Sequence, residues 1–387
     1  MKIVVQVRLM PDAVQAPALS ATLHAANEAA NWLSAEAHAR GEKDRTRKAL
    51  QGFAYAALKE RGLSAQPALH VLRKVADAYT TLRASVRAGN LGKPGSKRRV
   101  KAESKPVQFR PDAAQPYDDR CLSWQYDAGT VSVWTTAGRL PGVRFACSEQ
   151  ARKMLIEHRK GESDLVHRDG AWFLIATCEI PEAEQYEPDG FVGVDLGIVS
   201  IATVSTGYRA AGRGLNRHRK RQRDLRKKLQ AKGTKSARRR LKKRSRKEHR
   251  HAANVNHIIS KKIVTEAERT SHGIALEDLG GIRQRVRLRK PQRVTLHSWA
   301  FAQLGSFLEY KARRAGVPLV YVDPAYTSQQ CSECHHVEEK NRVDQARFVC
   351  RNCGVVAHAD RNASRNIAHR GEAVWIAGRE SRVPVTP

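Results

Sequence analysis

Two Cys-x-x-Cys knuckles near the C-terminus, Cys331/Cys334 and Cys350/Cys353, constrain this chain more than any other feature. Fifteen residues separate them. That is the spacing of a closed tetrahedral zinc site, in which each knuckle curls tightly enough to aim two thiolates at one ion. Gly354 suits the bend after the second knuckle. A pair of disulfides or buried free thiols is the competing reading, but paired knuckles at this spacing rarely arise by accident. Residues 324–358 are therefore expected to form a zinc ribbon. A few residues on, His358-Ala-Asp360-Arg-Asn362 opens a helix with an acid in its first turn. The ribbon reads as a device that positions this carboxylate.

Charge narrows the partner. The 387 residues include 70 Lys and Arg against 38 Asp and Glu, a net charge of +32. An excess this large and clustered points to a polyanion, DNA or RNA, rather than to a merely solvated surface. The length suits two to three domains. Met1-Lys2 leads straight into the strand-like Ile-Val-Val-Gln-Val, without a signal-peptide layout. No stretch approaches the roughly 18 apolar residues a spanning helix needs. Cys121, Cys147 and Cys178 make no framework pattern, which suits a reducing compartment. The expectation is a cytoplasmic, nucleoid-associated protein.

Ahead of the ribbon the hydrophobic period changes twice. Lys2 to Leu9 alternates as a strand and is broken by Pro11, Asp12 and Pro17. From Leu19 to about Ala88, apolar residues recur at three and four and predict three amphipathic helices. Leu19, Leu23, Ala26, Ala30, Leu33 and Ala37 mark the first, and Leu50, Phe53, Ala57 and Leu58 the second. Leu69, Leu72, Val75, Tyr79 and Leu82, after Pro67, mark the third. Ala88 to Pro106, rich in Gly, Lys and Arg, reads as a flexible basic linker. The period then becomes two. Leu122, Trp124 and Tyr126 are answered across an Asp-Ala-Gly turn by Val131, Val133 and Thr135. Gly138 to Phe145 is a further strand, and Val166 to Cys178 a hairpin around Arg168-Asp169-Gly170. The strands predict a small β-barrel built from residues 1–14 and 98–187, with the helical bundle and its linker, 15–97, inserted. Packing is favoured over base stacking for Trp124, Tyr126 and Trp134.

An acidic boundary, Pro181 to Gly190, precedes an α/β pattern over residues 188–387. Two apolar strands join at Leu196-Gly197, and Asp195 ends the first. An acid there is costly unless paired or metal-bound; a turn Asp is the alternative. Gly273 to Leu279 is another apolar strand, ending in Glu277-Asp278. Between them, roughly half of Arg213 to Arg250 is Lys or Arg, opposed by Asp224 and Glu248. Leu225, Leu229, Ala237 and Leu241 around Gly233 predict a helical hairpin within 209–251. An internal basic run suits a nucleic-acid channel better than a disordered tail. Its candidate contacts are Arg219, Lys220, Arg223, Arg226 and Lys227, then Arg238, Arg239, Lys242, Lys243 and Arg246. Thr295 to Ala315 follows as a helix (Leu296, Trp299, Ala300, Leu304, Phe307, Leu308), then Val317 to Val322 as a strand. Asp195, Glu277 and Asp360 thus stand on two strands and a helix of one α/β unit. Three such acids suit a two-metal phosphodiesterase using Mg2+, which prefers oxygen ligands.

In this order the residues resemble a known family, the TnpB-type (OrfB) RNA-guided nucleases of insertion sequences, relatives of the miniature type V CRISPR effectors. Gly193-Val-Asp195-Leu-Gly197 with Ser205-Thr-Gly207, Ala275-Leu-Glu277-Asp-Leu279, Tyr326-Thr-Ser-Gln-Gln-Cys331 and Asp360-Arg-Asn-Ala-Ser-Arg-Asn366 carry the likeness. It covers Phe191 to about Arg370. The resemblance implies a multidomain protein. Its α/β RNase H-like (RuvC) nuclease domain would carry a zinc-ribbon insertion, preceded by a β-barrel wedge domain with an inserted helical recognition domain. It also implies Asp195, Glu277 and Asp360 as catalytic Mg2+ ligands beside the structural Zn2+ site. Guide RNA from the transposon end and double-stranded target DNA next to a short flanking motif would be the partners, and a homodimer is among the assemblies open to it. Two departures stand out. His335 occupies a position where the family usually has Gly, so it must tolerate a tight turn. His358-Ala-Asp360 replaces the usual Asp-Arg-Asp, keeping the later acid in line with Asn362. The implied function is RNA-guided DNA cleavage, with one RuvC-like site cutting both strands in turn. A strand-transferring transposase and a nuclease-inactive RNA-guided repressor are the rivals. A plain zinc-ribbon DNA-binding module would leave the three acids idle.

Overall fold

The structure, a computed structural model, describes residues 1–279 and 301–380. Between Ile180 and Pro181 the chain divides into two units. In the first, β1 (Lys2–Met10) runs into α1 (Gln15–Arg40), α2 (Arg47–Glu60) and α3 (Ala65–Arg87), followed by the short α4 (Lys97–Glu103). The strands β2 (Gln115–Tyr117), β3 (Leu122–Gln125), β4 (Thr130–Thr135) and β5 (Gly138–Ala146) come next. After α5 (Glu149–His158), β6 (Arg159–Arg168) and β7 (Ala171–Glu179) complete the unit.

The predicted apolar stripe of α1 is buried throughout, from Leu19 to Ala37. Leu19 and Leu23 join the core of the strands that follow, while Ala26, Ala30, Leu33 and Ala37 pack with Leu50, Leu58, Val75 and Tyr79 into one cluster with α2 and α3. Full burial of a Leu or Val side chain contributes about 1.5–3 kcal/mol, so this face alone specifies the bundle. Pro67 lies inside the first turn of α3 rather than before the helix; backbone N–H groups there have no intrahelical partner, so a proline costs little. The stretch read as a flexible linker contains α4, whose Ser96 hydroxyl accepts from the Arg99 amide at 3.4 Å.

The seven strands form one antiparallel sheet in the order β2-β6-β7-β1-β5-β4-β3. The N-terminal strand is its centre, pairing with β7 and β5. Asp169 and Gly170 both take positive φ, 53° and 76°, as a two-residue hairpin turn matched to strand twist requires. Trp124 stacks on Tyr126 at 5.7 Å and meets Phe145 edge-on at 5.3 Å. Both pack against the sheet's core, as does Trp134.

The second unit contains β8 (Phe191–Asp195), β9 (Ser200–Val204), β10 (Arg209–Ala211), α6 (Arg213–Lys232) and α7 (Lys235–Arg269). It continues with β11 (Gly273–Glu277), α8 (Phe301–Ala315), β12 (Leu319–Val322), β13 (Arg347–Val349), β14 (Val356–His358) and α9 (Ala359–Glu380). Its sheet runs β10-β9-β8-β11-β12, with β8, β11 and β12 parallel and β8, β9 and β10 antiparallel. The parallel strands read as unbroken apolar runs because both faces are covered. Ile259, Ile263, Leu304 and Leu308 share one cluster with Val192, Val194, Ile274 and Leu276. Phe191, Ala275 and Val322 instead meet Ile367 of α9. Leu296, Trp299 and Ala300, expected at the start of α8, lie outside the described residues. Among the described residues no helix is long and apolar enough to cross a membrane.

Candidate nuclease site and zinc centre

Three elements bring the acids together. β8 and β11 are parallel neighbours in the register Val194↔Leu276, so Asp195 and Glu277 follow side by side at the C-terminal ends of both strands. α9 packs on these strands with Asp360 in its first turn. Asp360 is 7% exposed. The carboxyl of Asp195 is pushed up to about 8, first by burial and then by the charges of Glu277 and Asp360, with Arg342 opposing. Burial also raises Glu277, against a hydrogen bond from Thr327 and the charge of Arg370. This is negative charge gathered where water is scarce.

Two cations approach it. Arg342 Nη2 stands 3.6 Å from Asp360 Oδ1. Arg370 Nη1 donates to the carbonyl oxygens of Asp323 and Ala325, at 2.8 and 2.7 Å. An all-carboxylate set is the chemistry of hard divalent ions, and such an ion would supply the countercharge that Asp195 lacks.

The four cysteines meet as expected. Cys331 and Cys353 sulfurs are 3.7 Å apart, and those of Cys334 and Cys350 3.5 Å. Bonds of about 2.3 Å to a tetrahedral zinc would separate sulfurs by about 3.8 Å, whereas a disulfide needs about 2.05 Å. Among the described residues this quartet is the one group of three or more His, Cys, Asp or Glu placed to hold a metal ion, with its ligand atoms all within 4.8 Å of one another. Both knuckles close the same way. The His335 amide donates to Cys331 O and the Gly354 amide to Cys350 O, each at 3.1 Å. Both residues are left-handed, with φ of 60° and 74°. His335 does adopt the tight turn expected of it.

Buried amides on α9 clamp the first knuckle. Asn362 accepts from the Ser332 amide at 2.9 Å and donates to Gln330 O at 2.7 Å. Asn366 donates to Thr327 O and Gln330 O at 3.0 and 2.6 Å. Thr327, Arg342 and Arg370 were not singled out from the sequence. The Asn pair, four apart on one helix face, was the available signal.

The basic segment forms the predicted hairpin, with Gly233 left-handed at φ 62° between α6 and α7. The Thr234 hydroxyl caps α7 by accepting from the Ala237 amide at 3.2 Å. Lys220, Arg223, Arg226, Lys227, Arg238, Arg239, Lys242 and Lys243 are exposed, while Arg219 and Arg246 are half-buried. Arg226 pairs with Glu248 at 2.8 Å.

Comparison with known proteins places these features. Residues 175–280 match the OrfB_IS605 family, described as a probable transposase, and 301–367 match the Cas12f1-like TNB domain. The first match contains Asp195 and Glu277, the second the cysteines and Asp360. A Cas12f1 CRISPR-associated endodeoxyribonuclease of Sulfoacidibacillus thermotolerans is 44% identical over 30% of this chain and 26% of its own length. The putative RNA-guided DNA endonuclease InsQ of Escherichia coli K12 is 28% identical over 54% of this chain and 56% of its own. The TnpB-like protein MJ0751 of Methanocaldococcus jannaschii is 34% identical over 35% of this chain and 48% of its own. The chain thus spans from about a quarter to just over half of these relatives' lengths. In fold it is similar to the protein of a Cas12f1–sgRNA–target DNA complex, with a TM-score of 0.56 at 15% identity, over 90% of this chain and 82% of that one. Over these segments the chain is similar to OrfB and TnpB-like proteins and to Cas12f1.

Proposed function

We propose that this protein is an RNA-guided DNA endonuclease that hydrolyses phosphodiester bonds at Asp195, Glu277 and Asp360. One observation carries the reading: three acids distant in sequence meet at one buried end of the sheet, where burial and then the charges of Glu277 and Asp360 push the Asp195 carboxyl up to about 8. Two Mg2+ ions held there would activate the attacking water and stabilise the leaving 3′ oxygen. The chain's own part is orientation. β8 and β11 fix two carboxylates, α9 the third, and Arg342 presents a guanidinium beside Asp360 that suits a scissile phosphate.

Guide RNA from the transposon end would supply sequence specificity by pairing with target DNA, and the protein would read backbones and a short flanking motif. The exposed cations of α6 and α7 suit the phosphate contacts. The seven-stranded sheet would serve as the wedge barrel and the α1–α3 bundle as the recognition domain. Zn2+ on the cysteine quartet would be structural, since four protein sulfurs leave no open position.

The test is a plasmid library carrying a guide-matched target beside randomised flanks, offered to the protein purified with its RNA. Match-dependent linearisation in Mg2+, enriching one flank, is expected. The matched family's description favours a second reading, strand transfer, which requires products joined to donor ends.

A further inference from the structure

Glu277 takes its orientation from a residue outside its own strand. The Thr327 hydroxyl donates to Glu277 Oε1 at 2.6 Å. A hydroxyl carries one proton, and its other acceptor, Pro324 O, is farther away at 3.2 Å. The bond to Glu277 takes it. Thr327 is 3% exposed, and its carbonyl is gripped by Asn366, which also holds Gln330 next to Cys331. The preceding Tyr326 is 64% exposed and sits at φ 61°. A left-handed conformation at such a bulky residue is strained and persists only where the surroundings impose it. The turn sends one side chain outward and the next, Thr327, inward to the acid.

We propose that Thr327 is a positioning residue for the metal-binding carboxylate of Glu277. It engages Oε1, leaves Oε2 for the ion, and ties that orientation to the first cysteine knuckle through Asn366 and Gln330. The proposal rests on the reading of Asp195, Glu277 and Asp360 as divalent-metal ligands. Hydrogen bonds behind a ligand carboxylate set metal affinity by about 10- to 100-fold.

The test titrates Mn2+ into the full chain with its co-purified RNA and follows unbound Mn2+ by electron paramagnetic resonance. Thr327→Val, Thr327→Ser and Glu277→Gln are compared with wild type, and zinc content checks the fold. Thr327→Val is expected to weaken Mn2+ binding at least about tenfold and to raise the Mg2+ needed for half-maximal cleavage in parallel. Thr327→Ser, which keeps the hydroxyl, should stay close to wild type. Wild-type Mn2+ affinity in Thr327→Val, or equal losses in the Val and Ser variants, would overturn the proposal. Wild-type affinity in Glu277→Gln would instead overturn the carboxylate-site reading beneath it.

Discussion

A Cβ on Gly193 would overlap the carbonyl oxygen of Ser364 and lie 2.5 Å from the Ala368 amide nitrogen. β8 and α9 therefore touch backbone to backbone, and Asp360 rides on the helix that this contact seats. Gly193→Ala should lift α9, destabilise the second unit by about 1–3 kcal/mol or more and abolish metal-dependent cleavage. Gly214→Ala is the control, since a Cβ there meets nothing within 4 Å. Thermal unfolding and cleavage assays on both variants check this.

At the first knuckle, His335 carries a left-handed φ that the equivalent Gly354 takes without strain. His335→Gly should stabilise the ribbon by about 1 kcal/mol and Gly354→Ala destabilise it by a similar amount. Zinc loss to a chelator, followed over time, should be slower in the first variant and faster in the second.

Much of this was legible because it is local. The stripe from Leu19 to Ala37, the Asp169-Gly170 turn, the cysteine spacing and the acids ending apolar strands each follow from a short window. Other features arise only when distant segments meet. Thr327 and Glu277 are 50 residues apart, and nothing near Arg342 marks it as a neighbour of Asp360. Short elements were also missed. β2 has three residues around Pro116, and α5 buries only Leu155 among its ten residues, leaving no stripe to find.

In the first unit, burial is the largest cause pushing the His70 imidazole down to about 4, helped by Arg73 and Arg47 and opposed by Asp118. Unfolded, it titrates near the ordinary value of 6.5. The unfolded chain therefore binds the proton first as pH falls, so stability is intact above about 6.5 and is lost down to about 4. The whole effect is of the order of 3 kcal/mol. Amide exchange of β6 and β7 across this range should show the loss, and His70→Leu should flatten it.

The hairpin cations predict salt dependence. Replacing Lys220, Arg223, Lys242 and Lys243 with Gln should leave the fold intact, because all four are exposed. If each faces a phosphate, the slope of log affinity against log salt should shrink by about 3 to 4. RNA binding measured at several salt concentrations reads this directly, and an unchanged slope would remove these residues from the interface.

On the proposed reading, Asp195, Glu277 and Asp360 form one catalytic site that cuts both strands. Its most direct test is cleavage of a guide-matched plasmid by the RNA-bound protein and its Asp195→Ala variant, in Mg2+ and in EDTA. Linear product is expected from wild type in Mg2+ alone, and neither linear nor nicked product from the variant, with target binding retained. Nicking by Asp195→Ala, or wild-type binding to the match without any cut, would contradict it.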